Sequence, residues 1–139
     1  MAETIDRPTA SLHPVQTVLV VSTLPLFLGA LLSDWAYSAS YQIQWKNFAS
    51  WLLVGGLVFT GLALPWSVID GFRSNLSRGA HRWLLPLLLL GTFLLGFADA
   101  LVHAKDAWAS MPAGLLLSIL TFVMAIAATW TALARRVRP

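Results

Sequence analysis

The chain of 139 residues carries three histidines, six acidic residues and no cysteine, so its chemistry rests on few positions. His13 and His81 each stand just ahead of a long apolar run. Two imidazoles brought to one depth of a helical bundle form the axial ligand pair of a haem b, and an apolar bundle interior supplies the pocket. Arg78 and Arg82 flank His81 and offer charge-assisted hydrogen bonds to haem propionates. The competing reading is an interfacial imidazole that caps a helix or hydrogen-bonds to water or to Asp70.

A second group lies deeper. Asp99 and His103 are i and i+4, so on a helix they share one face and can pair. Asp34 ends another apolar run. Ionisable groups within a bilayer are costly and turn to the bundle interior or to a wet cavity. The trio fits a proton relay, a cation site or a polar tie between helices. One histidine and two separated carboxylates are a thin ligand set for a divalent ion, so no metal site is assigned. Gly55, Gly56 and Gly61 in one run, and Ala125, Ala127 and Ala128 in another, form small-residue surfaces. These permit close helix approach, within the bundle or against another membrane subunit. No nucleophile–base pair, phosphate-cradling glycine loop or zinc-binding spacing is present, so no catalytic residue is assigned.

The elements that must position these groups follow from composition. Apolar residues make up 58% of the chain and charged residues 11%, with a mean hydropathy of +0.72. A soluble domain is about 45–50% apolar and about 25% charged. These values exclude a soluble globular enzyme, a disordered chain and a nucleic-acid-binding module. The absence of cysteine excludes disulfides, iron–sulfur clusters and thiol nucleophiles.

Four apolar runs are long enough to cross a bilayer, which takes roughly 20 residues of helix. They cover about 15–37, 48–69, 83–103 and 111–134. Backbone groups in lipid must bond within their own segment, so each run is expected to be helical. Pro14 and Pro112 sit near first turns, where a missing N–H is harmless. Pro25, Pro65 and Pro86 predict local kinks or a frayed end. Trp35, Tyr37, Tyr41, Trp45, Trp51, Trp66, Trp83, Trp108 and Trp130 lie mostly near span ends, as an interfacial belt would. The connections at 38–47, 70–82 and 104–110 are short, which predicts an all-α, up-down-up-down four-helix bundle in the membrane. The domain reading is a cytoplasmic N-terminal segment at 1–14, one four-span domain at 15–134 and a basic tail at 135–139.

Arg7, Arg73, Arg78, Arg82, Arg135, Arg136 and Arg138 fall on one side of this topology, and only Lys46 and Lys105 on the other. The positive-inside bias predicts that both termini are cytoplasmic. Anionic lipid headgroups account for the arginines, and no nucleic-acid partner is expected. Ser38-Ala39-Ser40 could pass as a signal-peptide cleavage site. However, Glu3 and Asp6 oppose Arg7 and the apolar run is long, so the first span is expected to be retained. Spans one–two and three–four show a faint self-similarity, with an aspartate ending each odd span (Asp34, Asp99) and a histidine opening it (His13, His81). A parallel repeat would relate such halves by an axis along the membrane normal.

Several stretches resemble a known family. They are Arg7-Pro8, then Leu12-His13-Pro14, then Leu24-Pro25-Leu26-Phe27-Leu28-Gly29-Ala30-Leu31-Leu32-Ser33-Asp34, and Trp51-Leu52-Leu53-Val54-Gly55-Gly56-Leu57-Val58. The pattern is similar to the Domain of Unknown Function 2231 family of small, predicted four-span bacterial membrane proteins. In that family a His-Pro dipeptide precedes a proline-bearing first span that closes on an aspartate. A second span with tryptophan and a glycine pair precedes another aspartate, here Asp70, and a histidine opens the third span, here His81. Many members carry a further histidine just before the first-span proline, where this chain reads Val21-Ser22-Thr23-Leu24. The resemblance implies a bacterial inner membrane and four helices, and it implies no activity. Some members look like partners of periplasmic oxidoreductases and cytochromes, which brings in an electron-transfer role by association.

Three functions compete on these grounds. The first is a small inner-membrane subunit of an electron-transfer assembly, with haem b between His13 and His81. The second is a cofactor-free structural or assembly subunit bound to other membrane or periplasmic proteins. The third is a small oligomeric transporter or channel working through Asp34, Asp99 and His103.

Overall fold

The computed structural model describes residues 12–73, 80–105 and 110–137. Helix α1 spans Pro14–Ser40, α2 Ile43–Arg73, α3 Leu84–His103 and α4 Ala113–Val137, with a 3-10 turn at Ala80–Trp83 leading into α3. All four are long and apolar enough to cross a membrane. Each packs on its neighbours in chain order, and α1 with α4 closes the ring, so α1 faces α3 across a diagonal. The expected all-α bundle is therefore present. The end holding Leu12 and the last turns of α4 is the terminal end, and the end holding the α1–α2 and α3–α4 connections is the distal end.

Local chemistry explains the boundaries. His13 caps α1, with Pro14 in the first turn, where its missing N–H costs no helical bond. At the far end Tyr41 takes a left-handed conformation (φ 54°, ψ 21°), and its N–H donates to the Tyr37 carbonyl at 2.8 Å. That single residue turns the chain, so only Tyr41 and Gln42 separate α1 from α2. The connection is much shorter than the 38–47 expected from the apolar run. Residues 38–40 continue α1, with the Ser38 and Ser40 hydroxyls donating to the Trp35 and Ala36 carbonyls, and residues 43–47 open α2. Helix α2, with 31 residues, is about 46 Å long at 1.5 Å per residue and outruns a hydrocarbon core of about 30 Å. Both helices continue through Pro25 and Pro65. Pro86 falls in the first turn of α3 and interrupts nothing.

The burial pattern is inverted relative to a soluble domain. Large apolar side chains cover the outside, among them Trp51 and Trp130, each 76% exposed. Threonines and other polar residues lie inside, including Thr23, Thr60, Thr92 and Thr121. Most of these hydroxyls donate back to their own helix. Thr23 reaches the Val20 carbonyl at 2.7 Å, Thr60 that of Gly56 at 2.7 Å, and Thr92 that of Leu88 at 2.8 Å. Between helices the contact is side-chain packing, which in lipid relies on shape and dispersion rather than on release of water.

Candidate functional site

The polar trio closes at the distal end. Asp34 comes from α1, Asp99 and His103 from α3, and all three are buried. The His103 Nε2 lies 2.7 Å from Asp34 Oδ1. The other ring nitrogen, Nδ1, lies 3.0 Å from the Asp99 carbonyl oxygen and 3.2 Å from Asp99 Oδ1. One ligand atom from each residue can be chosen so that all lie within 4.8 Å of one another. The i, i+4 spacing on α3 thus places an imidazole over its own carboxylate, and the α1–α3 diagonal brings in the second.

A fourth residue joins from α4. Ser118 Oγ contacts Asp34 Oδ2 and lies 2.8 Å from Asp99 Oδ2. Unlike Thr23, Thr60 and Thr92, it meets carboxylates rather than its own helix's carbonyl. One turn earlier, Gly114 faces the imidazole, and a Cβ there would stand 3.1 Å from His103 Cε1. Glycine and serine at i and i+4 share one face of α4, one making room for the ring and the other supplying the hydroxyl. Sequence reading missed both, although the Gly114–Ser118 spacing in an apolar run was an available signal.

Counting hydrogens exposes a tension. A hydroxyl has one hydrogen to give, yet Ser118 Oγ meets two carboxylate oxygens. Asp99 Oδ1 is buried and makes no hydrogen bond, with His103 Nδ1 3.2 Å away. Two carboxylate oxygens thus share one hydroxyl hydrogen, and a proton on one carboxyl group or a bound cation relieves the contact. Lys46 does not fill that role through the one bond described for it. Its ammonium donates to the Lys105 carbonyl at 2.7 Å, pinning α2 to the end of α3.

At the terminal end, His13 and Arg82 are the described residues of the set read from sequence. His13 is exposed, its Nδ1 accepts the Val15 N–H at 3.3 Å, and its ring leans on Trp66 with centroids 5.1 Å apart. This is the interfacial cap. Inside it the bundle is filled by Leu12, Val20, Ala63, Leu85, Leu89, Ala128 and Ala132. Arg82 lies over the Trp83 ring, 5.8 Å from its centroid, and its carbonyl accepts from Arg135 Nη2 at 3.1 Å. Arg78 and the His81 side chain lie outside the described residues. The glycines expected as an interface lie against this chain's own side chains, Gly56 under Phe27, Gly55 beside Leu26 and Gly61 beside Phe93.

The model of the DUF2231 family, described as a predicted membrane protein, matches residues 10–133. No curated protein and no solved structure matches the chain. The chain belongs to the DUF2231 family.

Proposed function

We propose that this member of the DUF2231 family is a non-enzymatic, multi-pass membrane protein that binds a cation at Asp34, Asp99, His103 and Ser118. The observation that carries the reading is the convergence of two buried carboxyl groups, an imidazole and a hydroxyl on one point inside the bundle. Ionisable groups embedded in a membrane are expensive to retain, and a functional site is their default explanation. Of the roles open to the trio from sequence, cation binding draws on all four residues of the cluster. On this reading the terminal end, with Arg73, Arg82 and Arg135, meets the inner leaflet of a bacterial plasma membrane. The cluster then sits toward the opposite face.

The test separates a cation site from a simple polar tie. Exchanging Asp34, Asp99 and His103 together for Asn, Asn and Gln removes the ionisable groups while nearly keeping volume. The fold is expected to survive, because neutral polar side chains of similar size can still hydrogen-bond one another and Ser118. Cation binding, followed calorimetrically with a panel of monovalent and divalent ions, is expected in the unaltered protein and absent from the triple variant. An unaltered, folded protein that binds no ion of the panel contradicts the reading and leaves a polar tie.

A further inference from the structure

We infer that the ion is a divalent first-row transition metal, held by the two carboxylates, the His103 Nε2 and the Ser118 hydroxyl. The inference rests on the cation-site reading and names the class of ion. Two carboxylates and a neutral imidazole carry two negative charges, so a dication leaves the buried cluster neutral. A monovalent ion would leave one charge uncompensated in a low-dielectric interior, which is costly. The donor set narrows the choice further. Imidazole nitrogen suits zinc, iron and nickel, whereas calcium takes six to eight oxygens and magnesium keeps near-octahedral oxygen coordination with several waters. No thiolate or thioether is among the ligands, which disfavours Cu(I).

The geometry agrees in three respects. Ligands about 2.1 Å from a tetrahedral metal stand about 3.4 Å from one another. One ligand atom from each of Asp34, Asp99 and His103 lies within 4.8 Å of the others, and Nε2 and Asp34 Oδ1, now 2.7 Å apart, must part by a few tenths of an ångström to admit the ion. The imidazole is already oriented, because Nδ1 lies 3.0 Å from the Asp99 carbonyl oxygen and can donate its hydrogen there. A ligating histidine characteristically spends its second N–H in this way. The buried Asp99 Oδ1 makes no hydrogen bond, although His103 Nδ1 is 3.2 Å away, and is an acceptor available to the ion. Without the ion a proton lies between Nε2 and Asp34 Oδ1; when the ion enters, that proton leaves to solvent, Nδ1 keeps its own hydrogen, and the Nε2 lone pair forms the N–metal bond.

Cobalt(II) is the probe, because its visible bands report ligand number. The full-length protein in lipid nanodiscs, purified with chelator, is titrated with cobalt chloride and then with zinc chloride. One Co²⁺ per chain is expected, with the intense visible absorption of a four- or five-coordinate site, abolished by equimolar Zn²⁺. Asp34→Asn and His103→Gln are expected to erase the bands. Ser118→Ala, which retains all the charged ligands, is expected to shift them and to weaken binding by about 10–100-fold. His13→Ala is expected to leave them unchanged. Circular dichroism of each variant shows that it is folded. A folded, unaltered protein with no cobalt band and no zinc heat overturns the inference. If sodium or calcium binds there instead, the metal class falls and the cation-site reading stands; if no cation binds, both fall.

Discussion

The two ends of the bundle are held together by different physics. At the distal end, Asp34, Asp99, His103 and Ser118 join three helices through directional polar contacts. At the terminal end, Leu12, Val20, Ala63, Leu85, Leu89, Ala128 and Ala132 fill the space between helices with apolar volume. In lipid the apolar end gains little from leaving its surroundings, so its stability depends on how well it fills. The polar end depends on charge balance, since an ionised group left without its partner has no water to turn to. One end tolerates changes of shape poorly, and the other tolerates changes of charge poorly.

Substitutions that set the two ends against each other make this contrast testable. The largest loss is expected from Asp34→Ala, which leaves His103 and Ser118 facing a void. Breaking a buried pair from one side costs about 3–5 kcal/mol, read as a fall in the unfolding midpoint in mixed micelles. Leu89→Ala, 1% exposed in the apolar end, removes volume without disturbing charge. Such truncations cost about 2–5 kcal/mol, and the loss should be partly recovered when a neighbouring Ala128→Val refills the space. A midpoint unchanged by Leu89→Ala would mean that packing does not hold that end.

Between the two ends lies a tighter joint. At Gly56 an added Cβ would stand 2.5 Å from Phe27 Cε1. Gly56→Ala is expected to cost about 1–3 kcal/mol through overpacking, and Phe27→Leu in the same chain should relieve much of it. A Gly56→Ala protein as stable as the original would show that the ring is free to move aside.

The smallest expected change has the opposite sign. Gln16 is buried beside the terminal end, and neither its amide nitrogen nor its oxygen has a hydrogen-bond partner. An unmet buried amide costs about 1–3 kcal/mol, so Gln16→Leu is expected to stabilise the fold by about 1 kcal/mol, read as a rise in the unfolding midpoint. A drop instead would show that the amide is satisfied by something bound there.

The fold was largely legible, because hydropathy in runs of about 20 residues admits few structures in a bilayer. Helix ends were less so. Residues 38–40 are helical despite their polarity, with serine hydroxyls bonded back to the helix. Half of the site was legible for the same geometric reason: Asp99 and His103 share a helical face whatever the tertiary packing. Asp34 could be assigned to the same end of the bundle but not to the same point, since that depends on how α1 rotates against α3. Ser118 and Gly114 gave only a faint signal in their spacing, because a serine in an apolar helix ordinarily satisfies itself on its own backbone. Only the facing carboxylates give this hydroxyl a different partner. His13 drew attention by its residue type, whereas its position before Pro14 had already marked it as a helix cap.

The central claim is that Asp34 and His103 meet inside the membrane, 2.7 Å apart between side-chain atoms. Dipolar-coupling solid-state NMR on protein in lipid bilayers, with nitrogen-labelled histidine and carbon-labelled aspartate, measures that approach directly. The account predicts strong coupling between the His103 Nε2 and the Asp34 carboxyl carbon, lost in Asp34→Asn and present in His13→Ala. A His103 ring uncoupled from Asp34 would contradict it.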